Sequence, residues 1–173
     1  MPVNMLRLAL LLAAVAPSLP VHAYAPDGAS PRSFLGRISP STPPEEVVAM
    51  QLDALQAEDL PSVFFFGSPM NRAVSGPPQQ FESMIRSPPY DKLIHHNRWE
   101  IVMTVSNAKD ESRWRGLVQV WPKGKPHASP KEYWWALSRV PDTGMSDVHP
   151  QEVGCFMVDA VVPNKSLGEV DVC

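Results

Sequence analysis

At Trp99 the hydrophobic period of this 173-residue chain changes. Before it, apolar residues recur every three or four positions in short, proline-bounded segments. After it, they alternate in four aromatic-rich runs, the last holding Gly154-Cys155-Phe156-Met157-Val158-Asp159. Helical segments that all precede the strands give no helix-crossover units. The chain is thereby restricted to an α+β arrangement, with a helical layer on one face of an antiparallel sheet.

The spacing Thr42-Pro43-Pro44-Glu45 predicts a capping box at the start of the first helix. Val48, Leu52 and Leu55, with Val47, Met50 and Ala54 beside them, form its apolar face; Glu46, Asp53 and Gln56 are free to face water. Asp59-Leu60-Pro61 restarts the chain as a second short helix through Phe66, closed by Gly67-Ser68-Pro69. A polar loop through Asn71, Ser75 and Gly76 leads to a third helix, Pro78 to Arg86, with Phe81, Met84 and Ile85 on one face. Pro88-Pro89 ends it, and Tyr90 and Leu93 tuck under the same layer.

In the first strand Trp99, Ile101, Met103 and Val105 alternate with Glu100, Val102 and Thr104. Asn107 to Glu111 turns the chain into a second strand, Arg113 to Trp121. Tyr133 to Val140 and Val153 to Val162 are the third and fourth. The expected domain, residues 42–163, is three helices packed on a four-stranded antiparallel meander. The far sheet face is also partly apolar, through Leu117, Trp121 and either Trp134 or Trp135; a homodimer through that face would cover it.

Composition sets the class and excludes some partners. With 44% hydrophobic and 19% charged residues the chain has globular composition, and its net charge of −3 supplies no basic field for nucleic acid. Residues 1–23 read as a signal peptide: Arg7, an apolar core from Leu8 to Ala16, and a small-residue cleavage pattern at Val21-His22-Ala23. That core is too short for a membrane span, so no integral segment is expected after leader removal. Residues 24–41 carry Arg32, Arg37 and several serines against the single acid Asp27, a transit-like composition. A signal followed by such a stretch resembles the two-part leaders of complex plastids; a secreted protein with a flexible lead-in is the alternative. Asn164-Lys165-Ser166, opening the tail 164–173, is a glycosylation triplet that matters only on the secretory route. Cys155 is expected as a buried thiol and Cys173 as dispensable, and no metal or cofactor signature is present.

The segments Val47 to Leu55, Phe65 to Pro69, Phe81-Glu82-Ser83-Met84 with Tyr90, and Gly154 to Asp159 resemble an uncharacterised family among the cone-shaped, nuclear-transport-factor-two-like folds. The resemblance covers about residues 45 to 162 and departs at Pro88-Pro89 and at the loop Pro122 to Pro130. It implies a curved sheet wrapped around a long helix, with a pocket at the open end, and it implies no particular reaction. Trp114, Tyr133 and Trp135 become pocket candidates through their inward phase in such a fold. Asp159 becomes the candidate general base, with His95, His96, His127, His149 and Asp91 as lesser polar candidates. Two functions follow: a module binding a small apolar ligand or a partner protein without catalysis, or a small isomerase or dehydratase.

Overall fold

A proline stands in the first turn of each of the four α-helices among the described residues, where its missing N–H costs no hydrogen bond and its fixed φ suits the helix. The structure is a computed structural model that describes residues 37–107, 109–124, 129–143 and 148–164. The signal peptide, most of the transit-like stretch, His127, Lys165 and Ser166 of the glycosylation triplet, and Cys173 lie outside the described residues. The helices are α1 (Pro44–Gln56), α2 (Leu60–Phe65), α3 (Pro69–Ser75) and α4 (Pro78–Ile85); a single turn at Tyr90–Leu93 follows. The strands are β1 (His96–Asn107), β2 (Asp110–Pro122), β3 (Lys131–Arg139) and β4 (Phe156–Pro163), in the sheet order β1-β2-β3-β4 with every pair antiparallel. The α+β class and the four-stranded antiparallel meander are as the periodicity predicts.

The described residues form four α-helices rather than three. Ser68-Pro69, read above as the end of one helix, also starts the next: Pro69 takes the first position and the Ser68 hydroxyl accepts from the Asn71 N–H at 3.2 Å. The capping box at Thr42 does not form. Pro43 is the N-cap, the Thr42 hydroxyl accepts instead from the Ser39 N–H at 2.9 Å, and Glu45 turns toward the sheet to accept from Trp114 Nε1 at 2.9 Å. Asp59 does cap α2, accepting from the Ser62 N–H at 3.2 Å.

Val47, Val48, Leu52 and Leu55 of α1 are buried, as are Val63 of α2 and Phe81 and Ile85 of α4. They face the inner sheet surface of Trp114, Val118, Val120, Tyr133, Trp135 and Leu137. Each fully buried aliphatic of this kind contributes about 1.5–3 kcal/mol by leaving water. Trp135 is thus the inward tryptophan and Trp134 the outward one.

The expected alternation of β1 is broken. Ile101 pairs with Val118 but Met103 pairs with Leu117, so Val102 is an extra residue that reverses the phase beyond it. Trp99 and Ile101 stay on the core side, whereas Met103 and Val105 pass to the outer face, where both are exposed. On β2 the ring of Trp114 lies over Gly116, so close that a Cβ there would overlap it, and Gly116 pairs with Trp135 across the strands. Glycine at 116 is what lets two indoles share one sheet face. Gly116→Ala is expected to displace the Trp114 ring and cost about 1–3 kcal/mol, read as a lower denaturation midpoint with an altered near-ultraviolet circular dichroism band.

Candidate functional site

The helices do not close over the whole inner sheet. Between α2, α3 and α4 on one side and the edge strand β4 on the other lies a cleft of about 310 Å³, at the lower end of the range of small-molecule sites. Buried Leu55, Val63 and Leu93 form its floor; Phe64, Phe81, Val158 and Val161 its walls; Met70, Val74, Met84 and Val162 its rim. The rim is unusual for a soluble surface. Met70 and Val74 stand one turn apart on α3 and are 73% and 79% exposed.

The geometry follows from how α3 is attached. It buries none of its residues, and hydrogen bonds and an ion pair fix its place. Arg72 donates to the Gly67 carbonyl at 2.7 Å and to Glu152 at 3.0 Å, and Glu152 is itself buried. Asn71 Nδ2 donates to the Asp159 carbonyl of β4 at 2.8 Å. The turn before α3 adds a short parallel bridge: Ser68 N–H to the Val158 carbonyl and Val158 N–H to the Phe66 carbonyl, both 2.8 Å. These bonds hold α3 at the margin of β4 without bringing its apolar face down onto the sheet.

Nearly every polar side chain lining the cleft is already committed. Gln51 Oε1 accepts from Trp135 Nε1 at 2.8 Å while Nε2 donates to the Val63 carbonyl at 3.3 Å. Ser75 donates to Asn71 Oδ1 at 3.1 Å, and the Tyr90 hydroxyl donates to the Val161 carbonyl at 3.1 Å. The exception is Asp159. Leu137 pairs with Val158 and Ala136 with Ala160, so Asp159 is the extra residue of a β-bulge in an edge strand. It is exposed at the cleft's margin, it alone among the lining residues carries a charge, and its carboxylate has no hydrogen-bond or ion-pair partner among the described residues.

The other sequence candidates are placed elsewhere. Trp114, Tyr133 and Trp135 are buried in the core and none of them lines the cleft. Their polar atoms tie the sheet to the helical layer: Trp114 to Glu45, Trp135 to Gln51, and the Tyr133 hydroxyl to the Pro89 carbonyl at 2.8 Å. Burial, with Asp91 and Tyr90 nearby, pushes the Tyr133 phenol up to about 12. His95 pairs with Glu58, whose carboxyl is lowered chiefly by its hydrogen bond with Arg86. His149 Nδ1 accepts from the Gln151 N–H, capping a single turn. Asp91 pairs with Lys92. Cys155 is fully buried, its thiol pushed up by burial and by Glu152, and Sγ donates to the Gln151 carbonyl at 3.3 Å. Among the described residues no three His, Cys, Asp or Glu side chains are grouped to hold a metal ion, and no helix is long and apolar enough to cross a membrane.

Sequence reasoning missed α3 and with it Met70, Asn71 and Val74. The signal was present in Ser68-Pro69, a capping residue followed by proline, but the proline and glycine flanks read as loop. No protein-family model matches the chain, and no curated protein and no solved structure matches it.

His96 is 1% exposed at the start of β1. Its Nδ1 lies 2.9 Å from the Leu93 carbonyl, which can only accept, so the proton sits on Nδ1 and Nε2 is left without a partner. Burial lowers its pKa, opposed by the Leu93 bond and by Asp53. Protonation would place a second N–H where no acceptor waits. The unfolded chain therefore takes up this proton more readily: the contribution of neutral His96 to stability is complete above the ordinary value near 6.5 and is lost as pH falls from there through the depressed folded value. The denaturation midpoint is expected to fall between pH 7 and pH 5, and the slope attributable to this site to vanish in His96→Leu, whatever that variant's absolute stability.

Proposed function

We propose that this chain is a non-enzymatic binding module whose cleft between α2–α4 and β4 takes a small apolar ligand, on an architecture of the cone-like, nuclear-transport-factor-two-like kind. The observation that carries the reading is the cleft's lining: an apolar cavity of about 310 Å³ whose polar side chains, Asp159 apart, already have protein partners. Such a surface gains by covering Met70, Val74 and Met84 and offers little to a polar occupant. The order of helices before sheet, with α1 lying across the inner face, supports the cone-like architecture.

The isomerase or dehydratase alternative has less behind it. A general base works in an enclosed site at hydrogen-bond reach of the proton it takes. Asp159 is exposed at the margin, and none of the described histidines lines the cleft. The leader composition supports delivery to a complex plastid, with secretion as the alternative. A fluorescent fusion of residues 1–41 tests this: chloroplast fluorescence is expected, and accumulation in the medium would overturn it.

A second partner reading rests on the outer sheet face. Met103, Leu117, Trp134 and Val162 are direct cross-strand neighbours and form one apolar row across all four strands. Val105 and Arg115 flank it on one side, Glu100, Gln119 and Glu132 on the other. A second copy related by a two-fold axis along the row would bring each Arg115 over the acidic flank of its partner, so a homodimer through this face has both apolar area and charge complementarity.

The cleft reading is tested with a neutral apolar dye. Wild type is expected to bind it saturably. Met70→Gln/Val74→Gln, which alters only exposed positions, should keep the unfolding midpoint and weaken binding several-fold; equal binding by the double variant would place the site elsewhere.

A further inference from the structure

We propose that the ligand of the cleft is an apolar molecule ending in a protonated amine, with Asp159 as the anchor of that cationic end. The inference rests on the cleft reading above and adds the chemical class. Three observations carry it.

The first is the census of polar groups. Gln51, Asn71, Ser75 and Tyr90 all line the cleft, and each has its side chain in a hydrogen bond to protein. Among the described residues Asp159 is the polar lining side chain without a hydrogen-bond partner, so its carboxylate is what a ligand's polar end meets. An ionised carboxylate accepts hydrogen bonds and donates none, so it selects a donor, and a cationic donor over a neutral one.

The second is the backbone that presents it. Asp159 is the bulged residue of β4, with no cross-strand partner on β3, while its own carbonyl is fixed by Asn71 Nδ2 at 2.8 Å. The peptide is clamped and the side chain is left free at the margin of the cavity. A bulge in an edge strand is a common way of re-aiming one side chain next to a site.

The third is local charge. The nearest basic side chain on α3, Arg72, is spent on Glu152 and on the Gly67 carbonyl, so it neither neutralises Asp159 nor offers itself to an anionic ligand. A carboxylate-ended apolar molecule of the same length would meet only repulsion at the mouth. The cavity sets the length: about 310 Å³ corresponds to roughly ten water-sized groups, which suits a chain of about eight carbons with its head outside.

The experiment uses the full chain with three probes of equal length, n-octylamine, n-octanol and octanoate, each displacing the neutral dye at pH 7 and low salt. Octylamine is expected to bind about three- to fivefold more tightly than octanol, the size of a partly exposed ion pair, with octanoate weakest. The advantage, taken as the ratio of octylamine to octanol affinity within each protein, should shrink in 0.5 M salt and disappear in Asp159→Asn. If octanol binds and octylamine binds no better, the anchor is refuted and the apolar cleft stands. If the Asp159→Asn variant keeps the amine preference, another group supplies it and the assignment is likewise refuted. If none of the three probes displaces the dye, the cleft reading falls and takes this inference with it.

Discussion

At its centre the helical layer is tied to the sheet by a buried amide. Gln51, in the middle of α1, accepts from Trp135 Nε1 on β3 and donates to the Val63 carbonyl on α2. Trp135 is the most deeply buried large residue of the sheet, and an indole N–H enclosed without an acceptor would cost about 1–3 kcal/mol. The bond therefore fixes the rotation of α1 about its axis as well as its distance from β3. It also keeps α2 from sliding, since α2 supplies the carbonyl that satisfies the amide's other end. Trp114 to Glu45 and Tyr133 to Pro89 repeat the device at two further points of the layer, so three inward aromatics each bring apolar area and one directional contact.

The cleft is a consequence of where this fastening stops. α1, α2 and α4 bury apolar residues against the sheet, whereas α3 buries none and hangs on Arg72, Asn71 and Ser68. Polar contacts have fixed lengths and do not contract to close a void as an apolar face does. Arg72 reaches the Gly67 carbonyl and the buried Glu152 together, and neutralising one partner of such an enclosed pair leaves the other's charge uncompensated. The same arrangement that exposes Met70 and Val74 is thus resistant to collapse. A surface that is apolar, open and held in place by directed bonds suits a preformed binding site, because little ordering has to be done when the ligand arrives.

Much of this was legible in the sequence, and what was not has identifiable causes. The change of period at Trp99 sets the class and the strand order, because side-chain alternation and helical spacing are properties of the backbone. The inward phase of Trp114 and Tyr133 is as expected. The Thr42 box failed because Glu45 found a better partner in an indole 69 residues away, a tertiary contact that local spacing does not encode. The helix at Pro69 was hidden by its own start signal, since Ser-Pro after a helix reads equally as a stop. Choosing between Trp134 and Trp135 required the register with Gly116, the one residue on β2 that leaves room for an inward indole beside Trp114. The pocket candidates were chosen by inward phase, and inward phase on this sheet means core; the cleft lies at the β4 edge, where the helical cover is incomplete.

Two inserted residues explain the rest, and neither interrupts an apolar run in a way that sequence reveals. Val102 sits in an unbroken uncharged stretch and Asp159 in an apolar strand, yet each adds one residue to an edge strand and reverses every side chain beyond it. Without the first, Met103 would point into the core beside Gly116; without the second, Val161 would point outward and Val162 inward. With both, Val161 packs on the core, and Met103 and Val162 take the two ends of the outer row through Leu117 and Trp134. The bulges also blunt the two free edges of the sheet, which as flat uncharged strands would pair with any extended chain. One of them places the Asp159 carboxylate, unpaired among the described residues, at the mouth of the cleft. A single backbone device, present on both edges, therefore shapes both surfaces on which partners of this protein are proposed to bind.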